Sequence, residues 1–108
     1  MIVARRYHFC ATHHIPELPG YDQPHEHDYT VEIEAVSDLH DYFDTAHIDD
    51  WWVKQPQHAG ADLNTIYQQT TVEWIATTLL LEAREEIGNA ILAVTVTEDD
   101  ERWGRAKA

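Results

Sequence analysis

The chain has 108 residues, 44% of them hydrophobic and 25% charged, and this composition favours one globular domain spanning residues 1–108. The 7 basic and 20 acidic side chains give a formal net charge of −13, which argues against nucleic acids and anionic membranes as partners. The sequence has no apolar run of membrane-spanning length and no signal-like N-terminus, so we expect a cytoplasmic protein. Its single cysteine excludes an intrachain disulfide and fits a reducing compartment.

Two strands with alternating apolar residues are predicted in the first third of the chain. Residues 2–11 form the first strand, and His13 continues its apolar face. A loop rich in proline and glycine follows. Residues 25–36 form the clearest strand, and His25 and His27 extend its apolar face.

A short helix is predicted over residues 48–55. Asp49 is a plausible N-cap for it, and Pro56 would end it. The next segment, residues 57–69, is expected to be a loop or a broken helix.

The strongest helix pattern lies in residues 70–88, which carry a helical apolar stripe and end in glycine. Thr70 and Glu73 match a capping box at its start. A strand over residues 90–98 and a short last strand near residues 102–105 follow. The order ββααββ predicts an α+β fold whose neighbouring strands run antiparallel.

Three histidines lie where an apolar strand face ends. His25 and His27 are two residues apart, so their side chains project together. If the first two strands form a hairpin, His13 lies across the same loop. Three neutral imidazoles and an open position form the ligand set of a catalytic zinc ion. Solvated histidines at a strand end are the alternative interpretation.

Glu98 is a carboxylate at the end of an apolar strand face, which it shares with Val94 and Val96. If the carboxylate is buried, it needs hydrogen-bond donors, and the guanidine-like edge of a ligand would supply two parallel N–H groups. A plain charge at the end of a surface strand is the alternative.

Six short motifs resemble successive landmarks of the 6-pyruvoyl-tetrahydropterin synthase / 6-carboxy-tetrahydropterin synthase family. They occur in the order of that family and cover nearly the whole chain. The motifs are FCATH (9–13), HEHDY (25–29), IDDWWVK (48–54), DLN (62–64), TVE (71–73) and VTVTE (94–98).

The resemblance implies the tunnelling fold, with a ββααββ subunit whose antiparallel sheet packs on two helices. It also implies homotrimers that join their sheets into a barrel, homohexamers of two stacked trimers, and active sites at subunit interfaces. By similarity, His13, His25 and His27 correspond to the zinc ligands of the family.

The resemblance further assigns residues to substrate binding. Glu98 corresponds to the glutamate that grips the amino-pyrimidine edge of the pterin, and Thr71 and Glu73 match a threonine and a glutamate near the same ring. For Glu73, a helix-capping role is an equally good explanation.

The sequence departs from the family at the groups that transfer protons, so it resembles a divergent member. The usual catalytic cysteine position holds Tyr21, and the usual Asp-His pair is replaced by Gly60 and Ala59. Cys10 lies inside the first strand, where we expect a buried and inert thiol.

Proton transfer must then come from another side chain. The candidates are Tyr21 and Asp22 in the loop that enters the metal site, together with His14 and His58. For each of them, a solvated loop residue is the alternative interpretation.

The expected function is that of a zinc-dependent lyase or cyclase with altered proton-transfer residues. The few basic side chains are scattered, so we expect a small heterocyclic or carbonyl substrate without a triphosphate. The alternative is a non-catalytic protein of the same fold that holds a metal and serves ligand binding or assembly.

Overall fold

The computed structural model describes residues 1–108, and its elements follow the predicted order. They are β1 (Ile2–His13), β2 (His25–Val36), α1 (Ala46–Trp52), α2 (Val72–Glu86), β3 (Ile91–Glu98) and β4 (Arg102–Lys107). A single 3-10 turn, Leu63–Thr65, lies between the helices, in the segment predicted as loop or broken helix. Neither helix combines the length and apolar character that crossing a bilayer requires.

The four strands form one antiparallel sheet in the order β1-β2-β3-β4. One row of the sheet runs from Tyr7 through Val31 and Val96 to Gly104. Every strand therefore pairs with its neighbour in sequence, and β1 and β4 form the two edges.

The core lies between one face of the sheet and α2. The odd-numbered residues of β2 from Tyr29 to Ala35 are buried, whereas the intervening residues are not. The buried stripe of α2 packs against β3 and β4 and consists of Val72, Ile75, Ala76, Leu79, Leu80 and Ala83. This stripe is the one that the helical periodicity predicts.

The first helix begins earlier than the sequence indicates. Its N-cap is Thr45, whereas Asp49 lies inside the first turn. The carboxylate of Asp49 accepts hydrogen bonds from Tyr7 (2.6 Å) and Arg5 (2.8 Å), both on β1. These contacts lower the pKa of Asp49. The predicted cap is thus a link between α1 and the first strand.

The second helix is capped by a different threonine from the predicted one. The hydroxyl of Thr71 accepts the N–H of Trp74 (3.4 Å), whereas the hydroxyl of Thr70 donates to the carbonyl oxygen of His14 (3.2 Å). The sequence offers two adjacent threonines, and the tertiary contact with the end of β1 decides which of them caps.

Cys10 is exposed, which corrects the expectation of a buried thiol. It lies on the sheet face opposite the helices, where its thiol donates to Asp28 (2.7 Å). This hydrogen bond is the main reason that the pKa of the thiol is raised. A raised pKa disfavours the thiolate, so Cys10 is a poor nucleophile.

Candidate metal centre

The three histidines singled out in the sequence lie together at one end of the β1–β2 hairpin. His13 is the last residue of β1 and pairs with His25, the first residue of β2, while His27 follows two residues later on the same face. The ring centroids are 4.5 Å (His13–His25), 5.0 Å (His13–His27) and 4.8 Å (His25–His27) apart. One nitrogen from each ring lies within 4.8 Å of the other two.

Backbone carbonyl groups fix the orientation of two of these rings. Nδ1 of His13 donates to the carbonyl oxygen of Thr70 (3.0 Å), just before α2. Nδ1 of His25 donates to the carbonyl oxygen of Gln23 (2.8 Å), in the preceding loop. Because Nδ1 carries the proton in both rings, Nε2 is left with a lone pair.

A carboxylate orients the third ring. Nδ1 of His27 donates to Asp99, which also accepts the backbone N–H of Asp28 (2.8 Å). The contact with the N–H of Asp28, followed by that with His27, lowers the pKa of Asp99. Asp99 and Asp100 form the β3–β4 turn with φ values of 53° and 56°, a left-handed conformation that aspartate tolerates better than most residues.

The environment of these nitrogens fits a divalent metal ion. Nε2 of His13 and Nε2 of His25 are buried and have no hydrogen-bond partner. Burial also lowers the pKa of His13, which favours the neutral, ligating form of its imidazole. Histidines that bind zinc commonly donate their second N–H to a carbonyl or carboxylate, as all three rings do here.

Glu98 lies beside two of the three rings, at the end of β3. It is 7% exposed and pairs across the sheet with Tyr29, whose buried hydroxyl has no hydrogen-bond partner. Its Oε1 is 3.3 Å from Nε2 of His27, and its Oε2 is 3.9 Å from Nε2 of His13. The carboxylate is therefore buried beside His27 and His13.

Tyr21, one of the predicted proton-transfer residues, lies near the histidines. It belongs to the loop between β1 and β2, its ring centroid is 6.1 Å from that of His25, and it is 44% exposed. Asp22 is exposed in the same loop. Tyr21 thus borders the cluster from the solvent side.

The structure places His58 in a different part of the molecule. Its ring lies among Phe9, Trp52 and Tyr67, with the Trp52 ring stacked at a centroid distance of 4.8 Å. Nδ1 donates to the carbonyl oxygen of Pro56 (2.7 Å), and Nε2 accepts the hydroxyl of Tyr67 (2.6 Å). Both ring nitrogens are used within the packed interior, so His58 is not available to move a proton at the histidine cluster.

Thr71 and Glu73 lie at the start of α2, directly after the Thr70 carbonyl that holds His13. The side chain of Thr71 caps the helix, and Glu73 is exposed in the first turn. The hydroxyl of Thr71 is therefore already engaged, while the Glu73 carboxylate is free to reach a ligand or a second chain.

Sequence reasoning missed two groups that support the cluster. Asp99 follows Glu98 directly, but only the left-handed turn brings its carboxylate back to His27. Asn64 accepts the backbone N–H of His14 (2.9 Å) and donates to its carbonyl oxygen (3.0 Å), which fixes the chain after His13. The only sequence signal for Asn64 is its place in the DLN motif.

Comparison with known proteins defines the fold class of the chain. No family model matches the sequence, and no curated protein matches it either. The arrangement of strands and helices is that of the tunnelling fold, a ββααββ subunit with an antiparallel sheet packed on two helices.

Two solved structures illustrate this similarity. The 6-pyruvoyl tetrahydropterin synthase of Caenorhabditis elegans superposes with a TM-score of 0.80 over 100% of this chain and 95% of its own, at 16% identity. An uncharacterized protein from Wolinella succinogenes superposes with a TM-score of 0.75 over 99% and 97% of the two chains, at 14% identity. The resemblance seen in the sequence motifs is therefore confirmed at the level of the fold.

Proposed function

We propose that this chain is a divergent metal-dependent lyase or cyclase of the 6-pyruvoyl-tetrahydropterin synthase type, with zinc as the metal and residues 1–108 as one domain. The observation that carries the proposal is the convergence of three imidazoles whose Nδ1 atoms are all engaged. Two of the three Nε2 atoms are buried without a partner. Such an arrangement leaves buried polar atoms unsatisfied unless an ion binds them.

His13, His25 and His27 would hold the ion. A bound zinc ion would supply Lewis acidity that polarises a carbonyl or hydroxyl oxygen of the substrate. Imidazole ligands also suit other divalent ions, so the identity of the metal is part of the proposal.

Tyr21 is the side chain that we propose for proton transfer. It occupies the position of the family's catalytic cysteine, and its ring lies 6.1 Å from that of His25. Asp22 is the second candidate because it lies beside Tyr21 in the same loop. His58 is set aside because its ring nitrogens are bound to Pro56 and Tyr67.

The charges around the cluster favour a substrate without a triphosphate. Glu98 and Asp99 border the histidines, and both carry negative charge when ionised. The only arginine near Glu98 is Arg102, whose Nη1 lies 3.9 Å from the carboxylate and whose side chain is mostly exposed. We therefore propose a small heterocyclic or carbonyl substrate whose N–H groups face Glu98, with Thr71 and Glu73 near the bound ring.

The open edges of the sheet support assembly into a homotrimer or homohexamer in the cytoplasm. Segment 60–62 covers the C-terminal end of β1 through two backbone hydrogen bonds. The N–H of Gly60 donates to the carbonyl oxygen of Cys10 (2.7 Å), and the N–H of Thr12 donates to the carbonyl oxygen of Ala61 (2.9 Å). The rest of β1 and the outer side of β4 are free to pair with another chain.

Metal analysis and turnover together test the proposal. Protein purified without a histidine tag should contain stoichiometric divalent metal and should convert members of a panel of pterins and non-phosphorylated aldehydes. His25→Ala should lose both properties, whereas His40→Ala, at an exposed position, should keep them. Wild-type protein with no more metal than His25→Ala, or turnover that persists in His25→Ala, would contradict the proposal.

A non-catalytic role is the second candidate. It is favoured by the segment at the end of β1, where Ala59 and Gly60 bring no titratable side chain beside Cys10 and Thr12. Stoichiometric metal, tight retention of a small molecule and no turnover would support a protein that binds a ligand or organises an assembly.

A further inference from the structure

We propose that Glu98 is itself a ligand of the metal in the resting protein, so that the centre is closed by three imidazoles and one carboxylate until a substrate displaces Glu98. This inference rests on the metal site of the proposed function. It gives Glu98 a task beyond contacting the substrate, because the same carboxylate would control access to the ion.

One of the two distances around Glu98 matches the spacing of neighbouring ligands of one ion, and the other is longer. Two ligand atoms bound tetrahedrally at about 2.1 Å from a zinc ion lie about 3.4 Å apart. Oε1 of Glu98 is 3.3 Å from Nε2 of His27, and Oε2 is 3.9 Å from Nε2 of His13.

The contact between Glu98 and His27 is unfavourable unless a proton or a metal ion lies between Oε1 and Nε2. His27 donates its Nδ1 proton to Asp99, so a neutral His27 ring turns the lone pair of Nε2 toward the carboxylate. The lone pair of His13 Nε2 faces the other oxygen, because the Nδ1 proton of His13 is bound to Thr70. A divalent ion held by these side chains would replace the repulsions with metal–ligand bonds.

Apart from His13 and His27, only one exposed arginine lies near the buried carboxylate. The nitrogen-bearing side chains within 4.0 Å of it are those of His13, His27 and Arg102, and the Arg102 side chain is 61% exposed. The hydroxyl of Tyr29, across the sheet, has no hydrogen-bond partner. A buried carboxylate is costly unless it is paired or coordinates a metal, and coordination to the proposed ion would offset that cost.

The closed centre has a direct consequence for ligand binding. Catalytic zinc sites keep one position for water or substrate, whereas four protein ligands fill a tetrahedral shell. A substrate must then displace Glu98, and the released carboxylate becomes free to accept N–H groups of the same substrate. Small anions that cannot use those hydrogen bonds should be excluded from the ion.

Cobalt substitution tests the inference without measuring turnover. Metal-free wild type, Glu98→Gln and the control Glu101→Gln would be titrated with Co²⁺ while the visible absorption is recorded. Glu101 is exposed in the same hairpin and carries the same charge as Glu98. Azide would then be added to each cobalt complex, and the affinity for Zn²⁺ would be measured by competition with a chromophoric chelator.

We expect wild type and Glu101→Gln to give the same four-coordinate spectrum and to show no change with azide. Glu98→Gln should bind Zn²⁺ at least about tenfold more weakly and should respond to azide, because its fourth position is open. Equal affinities and equal azide responses in wild type and Glu98→Gln overturn the inference but leave the three-histidine centre intact. A wild-type protein that takes up neither metal overturns the proposed function as well.

Discussion

Nδ1 of His13 lies 3.0 Å from the carbonyl oxygen of Thr70, so the end of β1 is joined to the residue that precedes the cap of α2. A proposed metal ligand and the start of the main helix are therefore parts of one structural unit. Occupancy of the metal centre should affect the stability of the fold as well as its chemistry.

Metal binding should raise the free energy of unfolding. An ion that binds only the native chain and is present at one hundred times its Kd adds about 2.7 kcal/mol. Urea unfolding with and without excess Zn²⁺ measures this increment. His25→Ala should lose it, and His40→Ala should keep it. An equal zinc effect on His25→Ala would indicate that the stabilising ion binds elsewhere.

Asp99→Asn should weaken metal binding by about 10–100-fold, since the carboxylate that orients His27 would become a neutral amide. Asparagine also tolerates the left-handed backbone, so the turn should be retained. Competition with a chelator gives the Kd. Asp100→Asn, at the next position of the same turn, is the control and should bind as the wild type does. Identical Kd values for the two variants would remove Asp99 from the metal centre.

Tyr67→Phe should destabilise the fold by about 1–3 kcal/mol, because Nε2 of the buried His58 would lose its hydrogen-bond donor. Tyr42→Phe, at a position that is 76% exposed, should have little effect. Chemical unfolding at neutral pH measures both changes. Equal stabilities for the two variants would mean that the hydrogen bond contributes nothing net.

Stability of the metal-free protein should fall as the pH drops below about 6.5, the ordinary pKa of histidine. Burial lowers the pKa of His58 in the folded chain, so the unfolded chain binds the extra proton first. The free energy of unfolding therefore rises with pH between the folded and unfolded pKa values and is constant above them. His13 contributes in the same direction, because burial also lowers its pKa.

Comparison with His58→Asn isolates the contribution of that residue. Urea unfolding at pH 5.5 and 7.5 should give a smaller difference for metal-free His58→Asn than for metal-free wild type. His40→Asn should retain the full difference. If His58→Asn keeps the wild-type difference, the pKa of His58 is the same in the folded and the unfolded chain.

Tyr21→Phe should lower kcat by about 10²–10⁴-fold while the metal content is unchanged, which is the range expected for loss of a general acid or base. The prediction depends on finding a substrate in the turnover screen. Tyr42→Phe controls for the loss of a remote phenol. If Tyr21→Phe keeps the wild-type kcat, Tyr21 is not the proton-transfer group and Asp22 becomes the candidate.

The alternation of apolar residues was sufficient to predict the strands and to predict that the site residues share a face of the sheet. The alternation in β2 extends to His25 and His27, and the alternation in β3 carries Glu98 onto the face of Val94 and Val96. A period of two fixes the side of a strand on which a residue projects, so these assignments needed no tertiary information. The helix boundaries were less determined, because neighbouring residues such as Thr70 and Thr71 can both cap.

The tertiary structure alone decided which polar groups meet. The pairing of Asp99 with His27 depends on the turn after β3, which folds a residue next to Glu98 back toward the β1–β2 hairpin. The burial of His58 away from the histidine cluster depends on the packing of Trp52 and Tyr67 around its ring. Such contacts join residues far apart in the chain, and a one-dimensional pattern holds only the spacing between neighbours, not the distances that folding creates.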